Sequence, residues 1–334
     1  MVSQNRSRRT LAFLASLVVM LGLIPSPAAA QYAITNLVSN QKGKAKHQDT
    51  SLVNAWGMSF FPGNPIWISD AGSGKSTFYD DKGVKAGEIT VPPASGHGLG
   101  SPTGQIANNT TDFLIGGNPA AFIFSTLDGT ISGWNGGSSA VIAVTAPSGT
   151  SYTGLAIGKS KGANFLFAAD NANNKVDIYD GTFKLVGSFT DKNLGLAAYG
   201  IQNIKGQLFI TFSNFVGPGA VDIFDTTGKL IKTLTKSSHL NGPWGLALAP
   251  KNFGPASNAL LVGNLGDGHI NAFNAKTGKF MGSLKDTKNK VISIDELWGL
   301  AFGGGGTSGN PNQLFFTAGP NGYANGLFGV INFK

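Results

Sequence analysis

The 334-residue chain has no cysteine. Disulfides, thiolate metal sites and thiol catalysis are therefore excluded, and stability has to come from a packed core. Charge is scarce as well: Asp, Glu, Lys and Arg make up 13% of the residues, against about 25% in an average soluble domain. Long surface helices need Glu, Lys, Ala and Arg in quantity, so a helical protein is disfavoured. Histidine is limited to four residues and methionine to four.

What is abundant is glycine, at 48 residues, and phenylalanine, at 23. Such a chain suits many short strands joined by tight turns. The start of the chain has a different character. Arg6, Arg8 and Arg9 precede an apolar run over 11–24, and Ala28-Ala29-Ala30 follows it. A basic region, a short apolar stretch and small residues form an export signal, too short for a membrane span of about 20 residues. The expected organisation is a removed signal over 1–30 and one domain over 31–334. Ser7-Arg8-Arg9-Thr10-Leu11 fits either a twin-arginine signal or an ordinary one. The expected location is secreted or periplasmic, with no membrane anchor.

The formal charge is +8; without the three leader arginines, 22 basic residues face 17 acidic ones, leaving +5. The lysines are scattered, with small clusters at Lys42, Lys44 and Lys46 and at Lys285, Lys288 and Lys290. Nucleic-acid binding wants a concentrated basic stripe, so no nucleic-acid partner is expected.

A repeat decides the fold. Trp56-Gly57-Met58, Thr103-Gly104-Gln105, Thr153-Gly154-Leu155, Tyr199-Gly200-Ile201, Trp244-Gly245-Leu246 and Trp298-Gly299-Leu300 each open one copy. Their glycines are 47, 50, 46, 45 and 54 residues apart. After each comes an apolar run, such as Phe165-Leu166-Phe167-Ala168-Ala169-Asp170, and then an alternating one, such as Val176-Asp177-Ile178-Tyr179-Asp180. A period of about 40–50 with several strands per unit is the signature of propeller blades. The predicted fold class is all-β, a six-bladed β-propeller. Glycine fits the inner strand, where blades crowd. An apolar run fits a second strand covered on both faces. Lys184, Lys229, Lys232, Lys279 and Lys285 fall where the outermost strands are expected, and there they would discourage edge pairing. The last copy ends without an outer strand, while Tyr32-Ala33-Ile34-Thr35-Asn36-Leu37-Val38 stands unpaired before the first. The expectation is that this segment completes the last blade and closes the ring, most simply as a monomer.

Gly154-Leu155-Ala156, Leu166-Phe167-Ala168-Ala169-Asp170 and Val221-Asp222-Ile223-Phe224-Asp225 resemble the blades of NHL-repeat propellers. Asn36-Leu37-Val38-Ser39, Leu52-Val53-Asn54-Ala55-Trp56-Gly57 and Asp128-Gly129-Thr130-Ile131-Ser132-Gly133-Trp134 resemble an uncharacterised family of secreted bacterial propeller proteins. The resemblance spans nearly all of 31–334. It implies an NHL-like six-bladed fold and carries no activity. The Trp-Asp dipeptide of WD40 blades is absent, as is the Glu-Gly-Pro start of six-bladed lactonases, which bind a metal on the axis.

In a propeller, the turns between second and third strands gather on one face with the connections between blades. Asp70, Asp170, Asn214 and Asn264 end four second strands. His47, Asp49, Asn54 and His97 lie before inner strands, as do His239, Asn241, Asp295 and Glu296. Together they form a candidate ligand-binding face for a protein, a glycan or a small molecule. Asp70, Asp170, Asn214 and Asn264 offer hard oxygens for Ca²⁺ or another divalent cation. Imidazoles beside them suit a general base or a transition metal. Each Asp or Asn, taken singly, also suits turn capping. Two function classes stay open: a binding scaffold, and a metal-dependent hydrolase or lyase. Trp56, Trp244 and Trp298 suit stacking on sugars or packing between blades. Gly72-Ser73-Gly74-Lys75-Ser76-Thr77 imitates a phosphate loop. Ser69 stands where that motif needs glycine, and a strand rather than a helix is expected to follow.

Overall fold

The computed structural model describes Met1 and residues 31–334; the expected export signal, residues 1–30, falls outside them apart from Met1. Six antiparallel sheets surround one axis. Blade 1 is formed by Ala55–Ser59, Ile66–Asp70, Lys75–Tyr79 and Lys85–Thr90, counted from the axis outwards. Blade 2 has Pro102–Ala107, Phe122–Thr126, Thr130–Trp134 and Val141–Thr145, with a small added hairpin at Leu114–Ile115 and Asn118–Pro119. Blade 3 has Tyr152–Ser160, Ala163–Asp170, Lys175–Asp180 and Leu185–Phe189. Blade 4 has Ala198–Ile204, Gln207–Ser213, Pro218–Phe224 and the long outer strand Leu230–Asn241. Blade 5 has Pro243–Leu248, Ala259–Asn264, Ile270–Asn274 and Phe280–Ser283. Blade 6 has Leu297–Phe302, Leu314–Ala318 and Leu327–Phe333.

The fourth strand of blade 6 is Tyr32–Ser39, as expected. It pairs antiparallel with Leu327–Phe333, from Tyr32 opposite Phe333 to Ser39 opposite Leu327. Leu37 and Val38 are buried against Ile66, Ile68 and Tyr79 of blade 1. The Tyr32 hydroxyl donates to the Phe253 carbonyl at 2.9 Å, which locks the start of the strand to blade 5. The closing strand thus removes a sheet edge and joins the two ends of the ring.

The six blade interfaces each hold one apolar cluster, and the second strands explain why. Side chains alternate across a strand, so neighbouring residues point to neighbouring blades. Leu166 and Ala168 pack towards blade 2, while Phe167 and Ala169 pack towards blade 4. Trp67 faces blade 2 between Phe78 and Phe122, at ring separations of 4.1 and 4.2 Å. Ile66 and Ile68 face blade 6. A strand buried on both faces reads as an unbroken apolar run.

The glycine of each inner strand meets the backbone of the next blade. A Cβ on Gly57 would lie 2.4 Å from the Thr103 carbonyl oxygen, and one on Gly200 would lie 2.1 Å from that of Trp244. Gly104, Gly154, Gly245 and Gly299 repeat the contact round the ring, and Gly299 returns to the Trp56 carbonyl. One expectation needs correction. Of the five lysines assigned to outer strands, only Lys232 lies inside one; the others stand at turns beside them. The outer strands instead present Val141, Leu185, Val186, Ile231 and Met281 to solvent.

Candidate functional site

The residue before each inner-strand glycine sits at the face where the second-to-third-strand turns and the blade connections gather. Going round from blade 1, these residues are Trp56, Thr103, Thr153, Tyr199, Trp244 and Trp298. Four are aromatic. The two threonines occur side by side in blades 2 and 3 and leave room for the larger rings. Trp298 stacks on Trp56 at 3.7 Å with 17° between planes. Trp244 meets both edge-on, at 6.3 and 6.0 Å. Its indole Nε1 donates to the Thr153 carbonyl at 2.9 Å, bonding blade 5 to blade 3. Tyr199 contacts Trp298 from blade 4 at 6.1 Å. The tryptophans therefore do not form an open sugar platform: Trp56 and Trp298 stack across the adjacent blades 1 and 6, and Trp244 closes on both from blade 5. They stack on one another and plug the axis.

Two loops cover this plug. The turn over 214–217 in blade 4 brings Phe215 to 5.5 Å from Tyr199, and the turn over 319–326 in blade 6 brings Tyr323 to 5.8 Å from Trp298. Phe215 and Tyr323 meet edge-to-face at 6.3 Å and remain partly open to solvent. Five of the twelve described non-glycine residues with positive φ surround this mouth: Asn54, Phe215, Glu296, Asn321 and Tyr323. For Phe, Tyr and Glu that conformation is strained, and strain of this kind gathers at ligand sites. Hydrogen bonds hold it in place. The Tyr323 amide donates to Glu296 Oε2 at 2.9 Å, and the Asn321 amide donates to Asp295 Oδ2 at 3.1 Å. Trp298 Nε1 donates to Asn54 Oδ1 at 2.9 Å.

The electrostatics of the mouth follow from burial. Burial raises the Tyr323 hydroxyl above its usual range, with Glu296 and Asp295 adding to the effect. Tyr199 is raised well above it, again by burial. Both phenols stay protonated. Trp56 Nε1 and the Tyr199 hydroxyl are buried with no hydrogen-bond partner among the described residues. Buried donors of this kind are rare, and each calls for an explanation.

The residues expected to bind or catalyse are distributed differently. Glu296 lies at the mouth. Asp70 is fully buried at the end of its strand, where the Thr77 amide donates to it at 3.0 Å. Burial pushes its carboxyl well above the usual carboxylate range, against the opposing bonds from Thr77. Asp170 caps its turn by accepting from the Ser151 and Asn173 amides, at 3.2 and 3.3 Å. Asn264 donates to the His239 carbonyl at 2.8 Å, and Asn214 accepts from the Ala197 amide at 3.3 Å. These four residues belong to blades 1, 3, 4 and 5; three bond within their own blade, and Asn264 ties blade 5 to the outer strand of blade 4. The histidines are peripheral. His47 stands in His47–Gln48, the fifth strand out from the axis in blade 6. His97 lies on an exposed connection. His239 lies on the outer strand of blade 4, stacked on Phe280 at 3.5 Å. Among the described residues, no group of three or more His, Asp or Glu is placed to hold a metal ion. The phosphate-loop imitation is a turn leading into the strand Lys75–Tyr79, and Lys75 is ion-paired with Glu88.

Sequence reasoning missed Phe215 and Tyr323. Each is a lone aromatic in a turn rich in Gly, Asn and Pro, Ser213-Asn214-Phe215-Val216-Gly217-Pro218 and Gly319-Pro320-Asn321-Gly322-Tyr323-Ala324-Asn325-Gly326. An aromatic residue in such a turn has no strand to pack into, and that was the available signal.

No family model matches the chain. Among curated proteins, it is 29% identical to the uncharacterized protein R648 of Acanthamoeba polyphaga mimivirus, over 92% of this chain and 82% of the relative. It is also 29% identical to the uncharacterized protein L690 of the same virus, over 83% and 80%. Where sequence resemblance suggested bacterial proteins, these relatives are viral. Among solved structures it shares its fold with a streptogramin B lyase, at TM-score 0.57 and 14% identity, over 91% of this chain and 98% of that one. Virginiamycin B lyase from Staphylococcus aureus matches at TM-score 0.56 and 13% identity, over 91% and 100%. At such identity the likeness is one of fold: the chain is a six-bladed β-propeller.

Proposed function

We propose that this propeller is a ligand-binding scaffold, exported from the cell, that takes a glycan or a similar polyhydroxylated small molecule at its aromatic mouth. The observation that carries the reading is the pair Phe215 and Tyr323, held in strained turns above the stacked tryptophans. Sugar rings present apolar C–H faces that pack on aromatic rings, and their hydroxyls need acceptors. Glu296 and Asp295 each use one carboxylate oxygen on a loop amide, leaving the other for a ligand. The leader-like segment over 1–30 supports export.

The metal-dependent hydrolase alternative finds less support. Its proposed oxygen ligands, two Asp and two Asn, stand in four separate blades and are used on the backbone, and its histidines lie away from the mouth. The lyases that share the fold act on streptogramins, and fold alone does not transfer that chemistry.

The test is titration of the described domain, 31–334, with a panel of neutral oligosaccharides, read by tryptophan fluorescence. A binder should quench or shift the emission, because the mouth lies directly on Trp298. Tyr323→Ala and Phe215→Ala should each weaken it by about tenfold, the loss of roughly 1.4 kcal/mol of stacking. Binding that is unaffected by both substitutions would place the ligand elsewhere and overturn the reading.

A further inference from the structure

The rings under the mouth include two donors that serve no acceptor. Trp298 Nε1 donates to Asn54 and Trp244 Nε1 donates to the Thr153 carbonyl. Trp56 Nε1 and the Tyr199 hydroxyl have no hydrogen-bond partner among the described residues. A buried Tyr usually finds a partner for its O–H, and leaving a buried donor unpaired is costly. Of the two, Tyr199 adjoins the mouth. Its ring is fully buried, 5.5 Å from that of Phe215 and 6.1 Å from that of Trp298. Blades 4 and 6 are not neighbours, so a ring of blade 4 that meets Trp298 reaches across the axis. The hydroxyl stays protonated, because burial raises it well above its usual range and Tyr323 adds to the effect.

Phe215 covers Tyr199 on the mouth side, in a turn that is tied at its ends and not at its tip. Asn214 Oδ1 accepts from the Ala197 amide at 3.3 Å, and the Gly217 amide donates to Asn241 Oδ1 at 2.8 Å. Between them, Phe215 and Val216 make no hydrogen bond among the described residues and are 40% and 56% exposed. Phe215 has a φ of 72°, which is strained for its type. A small movement of this tip opens the Tyr199 hydroxyl to a ligand.

A ligand group entering there meets a donor below and acceptors beside it. Glu296 Oε2 and Asp295 Oδ2 are used on loop amides, and the other oxygen of each has no partner among the described residues. A negatively charged group is disfavoured beside two carboxylates. An acetamido group fits the set. Its neutral carbonyl accepts, its N–H donates and its methyl packs on an aromatic ring. It also stands further from a sugar ring than a hydroxyl does.

We propose that the mouth selects N-acetylated amino sugars, the acetamido carbonyl accepting from the Tyr199 hydroxyl under Phe215 and the acetamido N–H donating to Glu296. This rests on the glycan reading of the mouth and narrows it to one class of sugar. Phe215 and Tyr323 offer stacking to any sugar, and Tyr199 supplies the preference.

The experiment is calorimetric titration of the 31–334 domain with three β-1,4-linked trimers of equal length: N-acetylglucosamine, glucose and glucosamine. The acetylated trimer should bind most tightly, about tenfold more tightly than the glucose trimer. Tyr199→Phe keeps the ring; it should weaken the acetylated trimer by about tenfold and leave the glucose trimer unchanged. Without ligand, this variant should melt no lower than the unsubstituted domain, since it removes a hydroxyl with no partner. A clear fall in its melting temperature would show that the hydroxyl is already satisfied in the free protein and would overturn the proposal. Tightest binding of the glucosamine trimer would mean that the acids select an ammonium group, and would overturn it too. Binding of the acetylated and glucose trimers with equal affinity, lost in Tyr323→Ala, would leave the glycan reading standing and sink this inference alone. If no trimer binds, both fall.

Discussion

The inner-strand glycines allow the ring to close at its present radius, and Gly200→Ala tests this. A methyl at that position would lie 2.1 Å from the Trp244 carbonyl oxygen, 2.9 Å from its carbon and 3.0 Å from Thr211 Oγ1. The first two atoms belong to the backbone of the next blade. They cannot turn aside as a flexible side chain would, so blades 4 and 5 must separate by several tenths of an ångström or more. Overpacking of this severity costs about 3 kcal/mol, the top of the usual range. Ala also restricts the unfolded chain, which offsets about 0.5–1 kcal/mol. The net loss is about 2 kcal/mol. At about 2 cal/mol/K of unfolding entropy per residue over some 300 residues, the melting temperature falls by roughly 3–4 °C. The matched control is Gly187→Ala on the outer strand of blade 3. There the new methyl meets only Ile178 Cδ1, at 3.9 Å. Its only effect is on the unfolded chain, and the melting temperature should stay level or rise slightly. The assay is thermal melting by circular dichroism, with denaturant titration as a second probe. If the two variants melt within about 1 °C of each other, close approach between blades is not what these glycines provide, and the argument fails.

Asp222 predicts a dependence on pH. Burial between blades 3 and 4 raises its carboxyl to about 7; Thr233 opposes the shift and Asp191 adds to it. A carboxyl whose folded pKa lies above its unfolded one stabilises the fold fully below about pH 4, and that stability is lost as the pH rises towards 7 and beyond. Asp222→Asn should flatten the fall in melting temperature between pH 4 and 8, and it should leave the variant more stable at pH 8. An unchanged pH profile would refute the assignment. Tyr32→Phe tests the clasp. It removes a hydroxyl that donates to the Phe253 carbonyl and accepts from the Ala256 amide at 3.3 Å, leaving both buried. The expected cost is about 1–2 kcal/mol in denaturant unfolding, and a neutral result would show that the closing strand is held by its ladder and by Leu37 and Val38 alone.

The blades were legible because blade chemistry is local and repeats. Each copy needs a glycine where the next backbone presses in, an apolar run where both faces are covered, and alternation further out. All six copies carry these features, even blade 2 with its inserted hairpin. The closing strand was legible by subtraction, since one strand was missing at the end and one spare at the start. The candidate site was much less so. Asp70, Asp170 and Asn264 stand out in the sequence because they recur at strand ends, and they recur because backbone groups beside those ends need side-chain partners. A repeated residue reports what every blade requires, whereas a site is made by what differs between blades.

The sequence by itself determined the number of blades, their strand order and the closure of the ring, because periodicity and the alternation of burial are written residue by residue along the chain. Only the tertiary structure decided what occupies the axis. Trp56, Tyr199, Trp244 and Trp298 lie in four copies of one motif, more than 40 residues apart, and nothing local reveals that they meet. The ring brings them within stacking distance, lets Trp244 reach blade 3 past two threonines, and leaves an aromatic mouth at one end of the axis and an open chamber lined by the inner strands at the other. Those arrangements depend on which side chains converge on one axis from separate blades, and convergence is a property of the closed ring rather than of any stretch of chain.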